Sequence, residues 1–126
     1  MTRQLEHVNA GTPFGKWFRA NLRDSKTGLS IIDIDTIVYY FHEYKQKSIM
    51  LIEEKANGDV LHTSQRLSFP ILSTIISIGC KAMGVRWLGF HTIRMDGTTP
   101  DNSQWTELDG RRITKEQLVK FLNLEN

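Results

Sequence analysis

The chain has 126 residues, 40% of them hydrophobic and 24% charged, with a net charge of +2 and a single cysteine. That length suits one domain with one core. No apolar run approaches the roughly 20 residues of a membrane-spanning helix, and residues 1–7 carry no apolar leader-like stretch. One cysteine excludes an internal disulfide, four scattered histidines lack zinc-ligand spacing, and the mild basicity permits an anionic partner without requiring one. The expectation is a soluble protein, cytoplasmic or otherwise intracellular, forming a single domain over residues 1–126.

In chain order, a Thr12 cap, Pro13 at the first helical position and apolar Phe14, Trp17, Phe18 and Leu22 predict a helix over 12–22. Lys16, Arg19 and Arg23 fall toward its polar side, where a solvated face explains them as well as phosphate contact does. After the turn signal at 24–28 come three β-type runs, at 29–33, 36–41 and 48–52, rich in Ile, Val and Tyr. They are nearly continuous rather than alternating, the pattern of a sheet covered on both faces by helices. The polar stretch 42–46 is short enough to join the second and third runs as a hairpin. Residues 56–59 form a loop, and 63–83 then carry Leu67, Ile71, Ile75 and Ile78 at helical spacing. Pro70 either kinks this helix or marks the first turn of a shorter one. Residues 85–95 read as a fourth strand and 96–103 as a polar loop. The segment 114–122 is a short amphipathic helix capped by Thr114, with Gln117 at the capping-box position. Cys80 sits in an apolar stretch, where a thiol packs rather than reacts.

Two acidic segments, Asp33-Ile34-Asp35 and Glu53-Glu54-Lys55, flank the predicted hairpin. Alternate side chains of a strand share a face, so Glu53 and Lys55 point one way and Glu54 the other, with Met50 and Ile52. If the hairpin is symmetric about Tyr44, position 35 lies opposite 53 and position 33 opposite 55. Directly opposed β-carbons are about 4.5–5.5 Å apart. Two carboxylates at that separation repel unless a cation lies between them, and Mg²⁺ suits the place because it takes oxygen ligands, uses one or two carboxylates and keeps waters. A two-residue change of register exchanges the roles of Asp33 and Asp35. The plainer alternative is a cross-strand ion pair where the sheet meets water, worth well under about 1 kcal/mol. Against it, Glu53 and Lys55 follow four apolar residues, Ile49 to Ile52, as in a central strand.

The order Asp33/Asp35, hairpin, Glu53-Glu54-Lys55, set between two helices, resembles the PD-(D/E)XK nuclease superfamily, which includes restriction endonucleases and archaeal-type Holliday junction resolvases. The resemblance covers residues 12 to 95. It implies an α/β, restriction-endonuclease-like three-layer domain with a mixed sheet and the order α-β-β-β-α-β, here followed by a short C-terminal helix. It further implies a Mg²⁺- or Mn²⁺-dependent endonuclease that hydrolyses DNA phosphodiester bonds by metal-activated water. By resemblance, Asp35 or Asp33 takes the aspartate role, Glu53 is the second metal ligand and Lys55 takes the lysine role. Gln65, in Ser64-Gln65-Arg66, matches the polar residue several members carry in the following helix; capping is its ordinary alternative. No proline precedes either aspartate, and no acid lies within 12–22, leaving Glu6 as the nearest first-helix candidate. Small members often act as homodimers, for which Leu118, Val119, Phe121 and Leu122 offer a seam or, more simply, close the core. The alternative function is a non-catalytic nucleic-acid or protein-binding module of the same fold, using Trp87, Phe90, His91, Arg94 and Trp105.

Overall fold

A computed structural model describes residues 13–22, 34–42 and 45–124. They fall into two compact units, one holding residues 13–22 and 62–68, the other residues 34–42, 45–61 and 69–124. The expected strand at 29–33, together with Asp33, Glu6 and the Thr12 cap, lies outside the described residues.

In the first unit, helix α1 (Pro13–Asn21) starts on a proline, whose missing N–H costs nothing at a helix start. Phe14 and Trp17, three residues apart, stack obliquely with ring centroids 5.8 Å apart. The same unit contains the beginning of helix α2 (Thr63–Met83). There the Gln65 Oε1 accepts a hydrogen bond from the His62 backbone N–H at 3.1 Å, which satisfies one of the donors a helix start leaves open.

The second unit is built on a five-stranded mixed sheet of strand order β1-β2-β3-β4-β5: β1 (Thr36–His42), β2 (Lys45–Lys55), β3 (Arg86–Met95), β4 (Thr106–Leu108) and β5 (Arg111–Arg112). β1 and β2 are antiparallel, with Thr36 opposite Ile52, Val38 opposite Met50 and Tyr40 opposite Ser48, so the register is the one symmetric about position 44. It slips only near the turn, between Tyr40 and His42. β2 and β3 are parallel, as the intervening helix α2 permits. β2 is thus central in the sheet, and its apolar run does not alternate because successive residues on both faces, Met50, Leu51 and Ile52, are buried.

α2 runs as one helix of 21 residues through Pro70, so the proline does not mark a first turn. The row that signals the helix in sequence is not the row that packs. Phe69 stacks on Phe90 of β3 with centroids 4.0 Å apart, and the Trp87 indole N–H donates to the Ser73 Oγ at 3.3 Å. Leu67, Ile71, Ile75 and Ile78 are all at least 60% exposed. The opposite face of the sheet carries the core, Met50, Ile52, Ile93, Met95 and Leu118, with Val38, Leu108, Ile113, Phe121 and Leu122 packed against it. Helix α3 (Lys115–Leu122) has the expected capping box between Thr114 and Gln117; its Leu118 is a core residue with Phe121 and Leu122 packed against the core, whereas Val119 is exposed.

The segment 96–103 is more ordered than a plain loop. It contains a 3₁₀ turn at Pro100–Asn102 capped by Thr99 and leads into β4 and β5, two strands the sequence reading does not predict. Asp109 and Gly110, with φ of 51° and 85°, form the turn between them. Both positive values match the mirror-image hairpin turn, for which Asp-Gly is a preferred pair.

Candidate active site

Glu53, Glu54 and Lys55 are the last three residues of β2. Strand parity separates them as the sequence implies: Glu53 is 0% and Lys55 3% exposed, whereas Glu54 is exposed. The Lys55 Nζ lies 3.6 Å from the Glu53 Oε1, forming an ion pair shut away from water. Side by side with them on β3 are Thr92, in register with Glu53, and Arg94, in register with Lys55.

Burying two such charges is costly unless each is matched by its surroundings. Here the ammonium and the carboxylate match one another, and the strand's exit beyond them is held rigidly. After Lys55 the chain turns at Asn57 and Gly58, both at positive φ, and their backbone N–H groups donate to Gly97 O and Met95 O at 3.0 and 2.8 Å. Arg94 fastens the same turn: its Nε donates to Asp59 O, its Nη2 to Gly58 O, and its Nη1 pairs with Glu107 at 2.7 Å. Arg94 and Arg112 also lie over the Trp105 ring, 5.4 and 4.6 Å from its centroid. The alternative reading of the sequence puts Arg94 and Trp105 on a recognition surface; in the structure Arg94 also holds the turn that follows the triplet. The Asn57-Gly58 pair is the sequence signal for that turn.

Asp35 immediately precedes β1, and continuing the observed register by one residue sets it across from Glu53. Its carboxylate is exposed, and Oδ2 accepts the backbone N–H of Glu54 at 2.8 Å. That bond ties the start of β1 to the triplet. Thr36 adds a second tie, its hydroxyl donating to the Glu54 Oε1 at 3.4 Å. The second unit therefore brings together three of the expected site residues, Asp35, Glu53 and Lys55. Asp33 lies outside the described residues. Gln65 is buried and belongs to the first unit, where its side chain caps α2.

The remaining candidates on β3 are engaged internally. Phe90 and Trp87 face α2, while His91 lies on the side of the core. The His91 ring nitrogens approach Asp109 Oδ2 and Leu88 O, each at 2.6 Å, and its ring meets Phe121 edge-on at 4.9 Å. Gly89 makes room for this ring: at φ +101° it takes a conformation few side chains adopt, and a Cβ there would stand 3.1 Å from the His91 Nε2.

Among the described residues no group of three or more His, Cys, Asp or Glu side chains is poised to hold a metal ion. The two expected carboxylates stand on neighbouring stretches of chain, Glu53 buried beside Lys55 and Asp35 exposed against the Glu54 N–H. No helix of the described residues is long and apolar enough to cross a membrane. Comparison of the chain with protein-family models, with curated proteins and with solved structures returned no match.

Proposed function

We propose that this protein is a Mg²⁺- or Mn²⁺-dependent nuclease of the PD-(D/E)XK kind, acting on the phosphodiester bonds of DNA. The observation that carries the reading is the buried Glu53–Lys55 pair at the end of a central strand, with Asp35 just ahead of the strand beside it, one residue beyond the observed register. A solvent-facing ion pair that merely marks the end of a sheet does not require both partners to be almost fully buried. The element order supports the same reading: an acid at the head of one strand, a tight hairpin, the triplet at the end of the next, then a helix and a parallel strand.

In this reading Asp35 and Glu53 are the residues that hold the metal, whose contribution is to acidify a bound water and neutralise phosphate charge. Lys55 presents its ammonium on the same side of β2 as Glu53, where it orients the attacking water and stabilises the negative charge that develops on phosphorus. The Asp35 bond to the Glu54 N–H and the Arg94 anchorage of the 57–59 turn hold these groups in place before substrate arrives. Preorganisation of that kind is what allows fixed charges to act on a transition state.

The test is incubation of the purified protein with supercoiled, linear, single-stranded and branched DNA, with and without Mn²⁺. Metal-dependent cleavage that disappears in Glu53→Ala and Lys55→Ala supports the proposal. Failure to cut any substrate, or cutting by either variant at the parent's rate, sinks it. DNA binding that needs no metal and survives both substitutions would favour a non-catalytic binding module.

A further inference from the structure

We infer that Arg112 is a phosphate-binding residue, gripping the DNA backbone a few nucleotides away from the phosphodiester bond addressed by Glu53 and Lys55. The inference rests on the nuclease reading above and adds to it the direction in which the substrate crosses the sheet.

The register of the sheet lines up four charged side chains. Lys55 neighbours Arg94, Arg94 neighbours Glu107, and Glu107 neighbours Arg112. Directly paired residues share a face of the sheet, so this row runs across β2, β3, β4 and β5 on the face that carries Glu53. With strands about 4.8 Å apart, the backbone of Arg112 stands about 14 Å from that of Lys55. Exposure rises along the row: Lys55 is 3% exposed, and the side chains of Arg94 and Arg112 are 28% and 64% exposed.

The two arginines are employed differently. All the side-chain nitrogens of Arg94 are taken, by Asp59 O, Gly58 O and Glu107 Oε1. Arg112 is held at one end only. Its Nε donates to Glu107 Oε2 at 3.3 Å and its guanidinium lies 4.6 Å from the Trp105 ring centroid, whereas no hydrogen bond among the described residues engages its Nη1 or Nη2. A carboxylate behind the guanidinium and an aromatic ring beside it thus hold the group in place while its outer edge stays in water. That edge is the planar fork that matches two oxygens of a phosphate, and holding it in advance lowers the entropy lost on binding.

Glu107 is one carboxylate between two guanidinium groups, so the row keeps a net positive charge beyond the Glu53–Lys55 pair. An ion pair as open to water as Arg112–Glu107 contributes little to stability, so the fold itself gains little from the second arginine. The identity of the anion follows from where the row leads. One end is the lysine that addresses the scissile phosphate, and an anion joined to that phosphate and reaching the other end is another phosphate of the same strand. At 3.4 Å per nucleotide along one strand of a duplex, about 14 Å corresponds to about four nucleotides.

Fluorescence anisotropy of a labelled DNA duplex tests this without requiring cleavage, with the full chain titrated at several salt concentrations and Ca²⁺ in place of Mn²⁺. Arg112→Gln should bind about tenfold more weakly, and its plot of log affinity against log salt should be shallower by about 0.9, the signature of one lost phosphate contact. Arg111→Gln removes the same charge from the adjacent residue, which strand alternation turns to the other face, and should keep the parent's slope. Arg112→Lys keeps the charge without the fork and should fall between the parent and Arg112→Gln. Were Arg112 only a brace for the β4–β5 turn, its loss would lower Tm and leave the slope unchanged, which overturns the inference. Equal effects of the two glutamines, or a parent that does not bind the duplex, overturn it as well. A protein that cuts DNA but binds it equally well as Arg112→Gln keeps the nuclease reading and loses this inference, whereas one that binds through Arg112 and never cuts keeps the phosphate contact and loses the nuclease.

Discussion

Removing the charge of Lys55 while keeping an unbranched side chain of nearly its length, in Lys55→Met, leaves the Glu53 carboxylate at a position that is 0% exposed, having lost the ammonium 3.6 Å away. Taking one partner from a buried ion pair costs roughly 3–5 kcal/mol, because the remaining charge stays desolvated. For a chain of 126 residues, between the size classes for which 1 kcal/mol moves Tm by about 4–8 °C and about 2–4 °C, that cost lowers Tm by roughly 10–20 °C. Glu53→Leu alone strands the ammonium and should cost a similar amount. The double variant Glu53→Leu/Lys55→Met removes both charges and should recover to within about 1 kcal/mol of the parent, or exceed it, as happens when buried pairs give way to apolar residues of similar volume. Urea titrations of the four proteins close the cycle, and the coupling energy should exceed about 2 kcal/mol. In the proposed function both charges act, so the double variant should be stable and inactive. Single variants that each lose less than about 1 kcal/mol, or a double variant that loses their sum, would refute this reasoning.

Asp35→Asn keeps an oxygen for the Glu54 N–H, so it should shift stability by less than about 1 kcal/mol while abolishing Mn²⁺-dependent cleavage; thermal melts and a nicking assay check the two halves. Gly89→Ala should destabilise by about 1–3 kcal/mol, since it strains a residue at φ +101° and presses on the His91 ring, and urea titration should register the loss. Asp109→Ala removes the acceptor of the Thr92 N–H and the partner of the His91 Nδ1 from a turn residue at φ 51°, and should cost about 1–3 kcal/mol by the same measurement. Leu118→Ala empties part of the core against Met50, Ile52, Ile93 and Met95 and should cost about 2–5 kcal/mol.

What the sequence makes legible here are features governed by strict periodicity or local chemistry. The hairpin follows from two apolar runs joined by a short polar stretch, whereas its register stays open in the sequence and is fixed by the observed pairing of Thr36 with Ile52. The opposite fates of Glu53 and Glu54 follow from strand parity alone. Thr114 and Gln117 announce the start of α3 because a capping box is a local arrangement. The packed face of α2 is hidden for a physical reason: with Leu67, Phe69, Ile71, Ile75, Ile76 and Ile78 distributed around the helix, periodicity cannot choose a side, and it is Phe90 and Trp87, some twenty residues on, that do. β4 and β5, of three and two residues, are too short for any pattern, though Asp109-Gly110 marks the turn between them. The grip of Asp35 on the Glu54 N–H and of Arg94 on the turn after Lys55 depends on tertiary placement that no local signal carries.

The central claim, that Asp35 and Glu53 together hold a divalent metal beside Lys55, is tested most directly by anomalous diffraction from crystals soaked in Mn²⁺. The account predicts a single strong peak bonded to oxygens of both carboxylates, lost in crystals of Glu53→Gln. Peaks only at other sites, or none at millimolar Mn²⁺ with both carboxylates resolved, would contradict it.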